Sequence, residues 1–328
     1  MLAAGWIDPS LPDLLRHVSD GSCEYGIMGC KRIQPSASIV TVGGLFMYER
    51  LLPPIQTYEA RDGRSLCYRH YRADSDKLII LLHGISEDGQ YLHPLADFIA
   101  KRQLAQVVVP DLRGYGLHPI RRGDVEYVGQ HDHDIEDLAR WLEKSEPQMN
   151  KLILAAHSGG GGNVLRLADK PLAEQVNAYL LLAPAIHPKA PINYEKNHMS
   201  TTQLNTPRLA MITIMNKLGI RWFNRLTVMH NDKPPARRHG RETLELSYRL
   251  LQSRAPSAKY ERSLKAMTQP TLVLVGEKEE VFIPGQYAPL FAEHNDAKVR
   301  MILDADHDGI LSSEGAYREV EQWLRELA

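Results

Sequence analysis

The sequence has little cysteine and no long hydrophobic run. Its three cysteines, Cys23, Cys30 and Cys67, match no C-x-x-C zinc or redox spacing. No stretch reaches the roughly 18 consecutive apolar residues of a membrane-spanning helix. Asp8 and Pro9 interrupt the region where a secretory signal would have its apolar core. These absences predict a soluble protein of a reducing compartment, the cytoplasm.

The sequence also has no excess of charge of either sign. Lysine and arginine total 39 against 40 aspartates and glutamates, which gives a formal net charge of −1. Basic residues cluster only at Arg237, Arg238 and Arg241, a pattern more typical of a solvated surface than of a binding patch. The composition therefore argues against nucleic acid as an obligate partner.

Short apolar runs alternate with amphipathic segments from about residue 55 onward. This alternation is typical of parallel strands covered by helices on both faces. The predicted strands are 66–71, 78–82, 107–109, 152–155, 179–182, 271–275 and 299–303, and the predicted helices are 92–102, 129–143 and 313–327. The sequence thus predicts an α/β fold with a mostly parallel, doubly wound sheet.

The alternation stops in the segment 187–257, which is rich in Pro, Asn, Arg, Met and Thr and yet contains strongly apolar stretches. We predict that this segment is a helical cap, or lid, inserted between the two parts of the core, residues 51–186 and 258–328. Its apolar surface either packs on the core as a satellite or lines an apolar substrate pocket, and these interpretations are compatible. Residues 1–50 lack periodicity and are predicted to be an N-terminal extension.

The most informative motif is a strand, one serine and a glycine-rich helix entry within residues 152–163. Ala156 and Gly160 lie two residues before and after Ser158, and both are small, as the sharp turn of a nucleophile elbow requires. The glycines match neither the P-loop spacing for phosphate nor the Gly-x-Gly-x-x-Gly spacing for dinucleotides. Ser158 is therefore the candidate nucleophile, with a flexible glycine loop and an incidental serine as the alternative.

A serine nucleophile at neutral pH needs a histidine that accepts its proton and a carboxylate that orients the histidine. In this architecture the chain order is serine, acid, histidine. His307 follows the last predicted strand and is the candidate base. Glu279 follows the strand before it and is the favoured acid. Glu280 is the alternative, because a register error of one residue would exchange them, and a plain surface role is open for both.

Acyl transfer also needs backbone N–H groups that stabilise a tetrahedral oxyanion. We predict that Gly159, directly after Ser158, supplies one of them and that Ile85, in the loop after strand 78–82, supplies the other. His83 in the same loop is predicted to form structural hydrogen bonds rather than to act as a base.

A second cluster, His131-Asp132-His133-Asp134, has a spacing that occurs in hydrolases with paired zinc ions. These residues begin a predicted amphipathic helix, where aspartate is favoured as a cap, and no further ligands accompany them. We therefore predict that the protein uses neither a metal nor a cofactor.

Several motifs together resemble the α/β-hydrolase superfamily, from about residue 55 to the end of the chain. The matching segments are His83-Gly84, Asp111-Leu112-Arg113-Gly114-Tyr115-Gly116, His157-Ser158-Gly159-Gly160, residues 276–282 and His307-Asp308-Gly309. The most similar branch contains monoacylglycerol lipases, lysophospholipases and serine aminopeptidase-type hydrolases. The Asp-x-Arg-Gly-x-Gly loop and the ordered triad are the specific features, whereas the lid has no recognised motif.

The resemblance implies Ser158 as nucleophile, His307 as base and Glu279 as acid, with Ile85 and Gly159 in the oxyanion hole. The chain departs from the family pattern in two places. The elbow begins with Ala156 where glycine is usual, and the acid is glutamate where aspartate is commoner. Neither departure removes a group that the chemistry requires.

We expect a serine hydrolase that cleaves carboxylic esters through an acyl-enzyme, and the apolar insertion favours lipid-like or medium-chain acyl substrates. The expected partners are a small ester and, through the lid, a membrane surface in transient contact. One alternative is a peptidase or amidase of the serine aminopeptidase type, although Glu195 is the only acid between residues 186 and 231 that could hold a substrate amine. The alternative from another class is a non-catalytic hydrolase-fold binding protein.

Overall fold

The computed structural model describes residues 52–195, 202–235, 238–256 and 259–327. The predicted N-terminal extension, residues 1–50, lies outside the described residues. The strands of the described chain are β1 (Ile55–Glu59), β2 (Ser65–Tyr71), β3 (Lys77–Leu82), β4 (Gln106–Pro110), β5 (Lys151–His157), β6 (Val176–Leu182), β7 (Thr202–Leu204), β8 (Thr227–Asn231), β9 (Glu245–Ser247), β10 (Thr271–Gly276) and β11 (Lys298–Ile302).

The helices lie between and after these strands. They are α1 (His93–Lys101), α2 (Gln130–Ser145), α3 (Gly160–Leu167), α4 (Thr206–Lys217), α5 (Tyr248–Arg254), α6 (Tyr260–Ala266), α7 (Tyr287–His294) and α8 (Glu314–Glu326). Short 3-10 turns supplement them, for example at Gly89–Leu92 and Gly309–Leu311. Among the described residues, none of the helices has both the length and the apolar character needed to cross a bilayer.

An eight-stranded sheet with the order β1-β2-β4-β3-β5-β6-β10-β11 forms the centre of the fold. The strands from β4 to β11 in this order pair in parallel, whereas β1 and β2 add antiparallel at one edge. The central strands are buried along almost their whole length, because helices cover both faces, and this explains their continuous apolar runs. The predicted doubly wound, mostly parallel sheet is confirmed.

Two apolar clusters hold the helices against the two faces of the sheet. On one face, α1 and α8 pack through buried side chains that include Leu95 and Val320. On the other face, α2, α3 and α6 pack through Leu138, Leu165 and Leu264. Burial of such side chains contributes roughly 1.5–3 kcal/mol each, before chain entropy is subtracted, and makes the sheet a rigid platform for the loops at its edge.

The segment predicted as a cap lies between β6 and β10 in the chain. It contains a three-stranded antiparallel sheet with the order β7-β8-β9, besides α4 and α5, so strands accompany the helices that the sequence predicted. Ile212, Val228 and Tyr248 form a small cluster inside it, and Leu246 and Leu250 join the main core. The satellite packing expected from its apolar residues is therefore present, while the boundaries 187 and 257 stay predictions.

Candidate active site

Ser158 lies at a strained turn between β5 and α3. Its backbone has φ of 51°, a left-handed conformation that is costly for a residue with a Cβ atom. The turn is held in place because the Ser158 N–H donates to the carbonyl oxygen of Leu182 at 3.0 Å. A Cβ atom on Gly160 would lie 2.6 Å from the carbonyl oxygen of Leu82, so only glycine fits at the start of α3. This geometry is the sharp elbow that the spacing of small residues predicted.

The loops after β5, β10 and β11 bring Ser158, Glu279 and His307 together. The Oγ of Ser158 lies 2.8 Å from Nε2 of His307. Nδ1 of His307 lies 2.8 and 2.9 Å from the two carboxylate oxygens of Glu279. The three side chains form one hydrogen-bonded series, an arrangement that can move a proton away from the serine hydroxyl.

The structure brings Glu279 rather than its neighbour Glu280 to the imidazole. The Glu279 side chain is fully buried, and its Oε1 also accepts the N–H groups of Val281 and Phe282 at 2.9 and 3.2 Å. Glu280 instead accepts the backbone N–H of His307 at 3.0 Å. The sequence left open whether Glu279 or Glu280 is the acid. In the structure the Glu279 carboxylate contacts the His307 ring, and the Glu280 carboxylate contacts the His307 backbone.

The environment of His307 favours its protonated form. Burial by itself disfavours the charged imidazolium, but the hydrogen bond that His307 donates to Glu279 and the negative charge of Glu279 outweigh burial, and the pKa of His307 is raised above the ordinary histidine value. An imidazolium that forms while the serine reacts would therefore be stabilised in place. This is the electrostatic property that a general base needs.

Two backbone amides, those of Gly159 and Ile85, lie beside Ser158. Gly159 follows the serine, and the Cβ position of Gly159 lies 3.0 Å from the nitrogen of Ile85, so the two predicted amides are neighbours. Neither amide donates a hydrogen bond to another residue in the described ranges of the chain. Gly84 passes so close that a Cβ atom there would lie 3.3 Å from Cβ of Ser158. The two amides can thus receive an oxygen atom that develops negative charge.

The loop that carries Ile85 is braced by the loop after β4. His83 is buried, its Nε2 accepts the N–H of Leu112 at 3.1 Å, and its Nδ1 donates to the oxygen of Gly84 at 2.9 Å. Asp111 accepts the N–H of Gly89 at 2.8 Å, and its pKa is raised to about 6 because it is buried. His83 therefore has the structural hydrogen bonds that were predicted for it.

The segment predicted as a cap contacts this same loop directly after Ile85. Ser86 has a positive φ of 68°, and its Oγ accepts a hydrogen bond from the Asn231 amide at 3.0 Å. Glu87 pairs with Lys233 at 2.6 Å and with Nε2 of His239 at 3.2 Å, a hydrogen bond that raises the pKa of His239. Side chains of this segment thus hold the loop by hydrogen bonds and place basic groups next to Glu87.

The residues at 131–134 do not converge on one point. Asp132 pairs with Arg166 at 2.6 Å, and Asp134 pairs with Arg113 at 2.8 Å. His131 donates from Nε2 to the backbone oxygen of Arg113 at 2.8 Å. These contacts tie the start of α2 to its neighbours, so the cluster has a structural explanation.

One other group has the spacing of metal ligands within the part of the chain that the structure describes. It consists of His157, His307 and Asp308. Both ring nitrogens of each histidine already form hydrogen bonds inside the protein. The arrangement is better suited to holding protons in defined positions than to binding an ion.

The sequence did not indicate that Tyr91 and His157 belong to the site. They contact each other and the backbone of the loops that carry Ile85 and His307. Tyr91 Oη lies 2.7 Å from Nδ1 of His157, and Nε2 of His157 lies 2.9 Å from the backbone oxygen of His307. The only signal in the sequence was that His157 directly precedes Ser158. No spacing pattern indicated Tyr91, because 66 positions separate it from His157.

Comparisons with known proteins agree with this fold. A family model described as serine aminopeptidase, S33, matches residues 73–310. The search of curated proteins gives no match.

Solved structures give further matches, at low sequence identity. A soluble variant of monoglyceride lipase from Saccharomyces cerevisiae, in complex with a substrate analog, is 17% identical with a TM-score of 0.61, over 84% of this chain and 96% of that chain. The Paleococcus ferrophilus monoacylglycerol lipase is 19% identical with a TM-score of 0.56, over 80% and 99%. A thermophilic esterase from Thermogutta terrifontis, with malate bound, is 19% identical with a TM-score of 0.55, over 83% and 98%. At these identities the similarity shows the shared fold.

Proposed function

Since this chain belongs to the serine aminopeptidase, S33, family of α/β-hydrolases, we propose that it cleaves carboxylic esters through an acyl-enzyme intermediate on Ser158. The observation that carries this proposal is the continuous hydrogen-bonded series from Ser158 through His307 to Glu279. The unengaged amides of Gly159 and Ile85 beside the serine support it further.

The proposed reaction has two halves. As Ser158 Oγ attacks the ester carbonyl, His307 Nε2 accepts its proton, and the amides of Gly159 and Ile85 donate to the oxyanion. The imidazolium, held by Glu279, then gives that proton to the departing alcohol, and the acyl group stays on Ser158. In the second half, His307 accepts a proton from water as the water attacks the acyl group. Return of this proton to Oγ releases the carboxylic acid.

The character of the cap supports an apolar acyl group as substrate. The cap segment from residue 196 to 231 contains no aspartate or glutamate that would disfavour an apolar group. Monoacylglycerol lipases and an esterase also stand among the proteins that share this fold. We propose lipid-like or medium-chain acyl esters as the substrate class.

Peptidase or amidase action is the second candidate, because the family model carries the description of a serine aminopeptidase. An aminopeptidase must hold the positive amine of its substrate with an acidic group. Glu87 and Glu242 lie where the cap meets the loop of Ile85, but Lys233 and His239 pair with them. These pairs leave little negative charge for an amine, and ester hydrolysis is therefore preferred.

A substrate panel distinguishes these functions. On p-nitrophenyl esters we expect kcat/KM to rise at least tenfold from acetate to octanoate, because each buried methylene contributes about 0.8 kcal/mol. Aminoacyl p-nitroanilides should react at least about 100-fold more slowly than the best ester, since their site would lack an anionic contact. Preference for the anilides would favour the aminopeptidase. A folded protein that turns over no member of the panel would favour a non-catalytic binding protein.

We propose a cytoplasmic location for the protein. The support is the low cysteine content, three in 328 residues without a C-x-x-C pattern, which fits a reducing compartment.

We also propose that the cap makes transient contact with a lipid surface. Its outward-facing apolar surface consists of Met211, Ile214, Leu218, Ile220, Trp222 and Phe223, and Trp222 is 86% exposed. Four basic residues of the same segment, Arg208, Lys217, Arg221 and Arg225, are exposed too. Exposed apolar side chains on a segment that also carries exposed basic residues fit the headgroup region of an anionic bilayer.

Vesicle sedimentation tests this contact. The protein should bind phosphatidylcholine vesicles that contain 30% phosphatidylglycerol, and a Leu218→Ala/Trp222→Ala variant should bind at least about tenfold more weakly. Leu303→Ala is the matched control, because Leu303 is 73% exposed, like Leu218 at 68%, but lies outside the cap. Both variants should keep the wild-type rate on a soluble short-chain ester. Equal vesicle binding by the wild type and the double variant would contradict the proposed contact.

A further inference from the structure

His157, the residue directly before Ser158, forms hydrogen bonds in two directions. Its Nε2 lies 2.9 Å from the backbone oxygen of His307, and its Nδ1 lies 2.7 Å from Oη of Tyr91. The same Tyr91 oxygen lies 2.7 Å from the backbone nitrogen of Gly84. His157 is almost completely buried, so these hydrogen bonds form away from solvent.

The direction of each hydrogen bond follows from chemistry. A carbonyl oxygen only accepts hydrogen bonds. Nε2 of His157 is therefore protonated, and its N–H donates a hydrogen bond to the backbone oxygen of His307. Burial, aided by repulsion from His307, lowers the pKa of His157 to about 4, so the ring is neutral and Nδ1 has no proton. Nδ1 therefore accepts from Tyr91, whose oxygen accepts the N–H of Gly84. Burial also raises the pKa of Tyr91 well above its ordinary value, so the phenol keeps its proton.

The two ends of this series are attached to different parts of the candidate machinery. Gly84 directly precedes Ile85, and the Gly84 N–H belongs to the peptide unit immediately before that of the Ile85 amide, the proposed oxyanion donor. His307 carries the imidazole that lies 2.8 Å from the Ser158 hydroxyl. The middle of the series is the residue before the nucleophile itself. Three separate loops, after β3, β5 and β11, are thus connected through two side chains.

We propose that Tyr91 and His157 are positioning residues, a relay that holds the Ile85 amide and the His307 imidazole at a fixed separation around Ser158. This inference rests on the proposed function, because it concerns the same reaction. Loss of the Tyr91 hydroxyl removes the partner of the Gly84 N–H and of His157 Nδ1, and loss of the His157 ring removes the partner of the Tyr91 hydroxyl and of the His307 carbonyl oxygen. In either case two buried polar groups lose a hydrogen bond, so the loops must shift to regain partners. The effect should therefore appear in the reaction step rather than in ground-state binding.

The position of the His157 ring adds a second reason for the relay. Its centre lies 4.8 Å from that of the His307 ring, which becomes positively charged during the reaction. A positive charge on His157 would oppose that change. The His157 ring would become charged by binding a proton at Nδ1, and the Tyr91 hydroxyl donates its hydrogen bond to this same nitrogen.

Three single variants and the Tyr91→Phe/His157→Gln double variant are compared on a soluble short-chain ester, with kcat calculated per titrated active site so that unfolded protein does not count. Tyr91→Phe removes only the hydroxyl, and His157→Gln offers one amide where histidine offers two opposed nitrogens. Tyr71→Phe is the matched control, because Tyr71 and His93 form a tyrosine–histidine hydrogen bond of the same kind outside the relay, at 3.2 Å. Its ring-centre distance of 5.6 Å is close to the 5.5 Å of the Tyr91–His157 pair.

We expect Tyr91→Phe and His157→Gln each to lower kcat per site about 10- to 100-fold, with KM within about threefold of wild type. In the double variant, kcat per site should be little lower than in the more impaired single variant. Each substitution by itself already interrupts the same series of hydrogen bonds, so their effects should not add. Tyr71→Phe should lower the melting temperature without lowering kcat. Unchanged kcat per site in both relay variants overturns the relay alone. A wild-type protein without ester turnover overturns the relay and the proposed function together.

Discussion

Replacing Ser158 with alanine will lower ester hydrolysis by about 10⁴- to 10⁶-fold and leave the protein folded. The hydroxyl is the only group positioned 2.8 Å from His307 Nε2 in the described structure, so its removal leaves the base without a nucleophile to activate. The backbone of the turn is set by hydrogen bonds to Leu182 and Ala185 that alanine retains. The rate should be measured on p-nitrophenyl octanoate beside a thermal melt of the same sample.

Glycine at this position provides a matched comparison. Ser158 has φ of 51°, and alanine retains the strain of that conformation while glycine does not. The strain costs about 1–3 kcal/mol, and the greater freedom of glycine in the unfolded chain offsets about 0.4–1 kcal/mol of the gain. Ser158→Gly should therefore be as inactive as Ser158→Ala and about 1 kcal/mol more stable. Substantial hydrolysis by both folded variants would exclude Ser158 as nucleophile.

Replacing Glu279 with glutamine will lower kcat/KM by about 10³- to 10⁴-fold. The carboxylate contacts Nδ1 of His307 with both oxygens, and it holds the tautomer in which Nε2 is free to accept the serine proton. Glutamine removes the charge that stabilises the imidazolium, and its amide N–H can hold the opposite tautomer. Glu280→Gln is the control, since its side-chain oxygen can still accept the backbone N–H of His307.

The dependence of kcat/KM on pH also tests the role of Glu279. His307 must be unprotonated to accept the serine proton, so the acid limb of kcat/KM follows its pKa. Glu279 raises that pKa above the ordinary value, so the wild-type activity should rise through a pH above about 6.5. In Glu279→Gln the surviving activity should rise at a lower pH, whereas Glu280→Gln should keep most of the activity and the wild-type limb. A strong loss in Glu280→Gln with an active Glu279→Gln would reverse the assignment of the acid.

The sequence was enough to predict that the candidate residues lie close together, because the strands that carry them are parallel. Strands that alternate with helices end at the same edge, so Ser158, His307 and the loop after β10 had to lie near one another. The choice between Glu279 and Glu280 could not be made in this way. Their side chains follow each other on one loop, and only the path of the backbone decides which carboxylate reaches the ring.

Two features could not be predicted from the sequence: the short strands of the segment predicted as a cap, and the contact between Tyr91 and His157. Strands β7 and β9 are three residues long, too short to show an alternating pattern, and they form because both pair with β8. The contact between Tyr91 and His157 depends on how two loops approach across the site. Neither periodicity nor composition contains that information.

Covalent labelling with a fluorophosphonate, followed by peptide mass spectrometry, tests the central claim most directly. The reagent reacts with a serine that a neighbouring base activates, and the oxyanion amides donate hydrogen bonds to its phosphoryl oxygen. We predict one adduct per molecule, on Ser158, formed more slowly when an ester substrate is present and at least about 10³-fold more slowly in Glu279→Gln. Folded protein that stays unlabelled, or that carries the adduct elsewhere with Ser158 unmodified, would contradict the account.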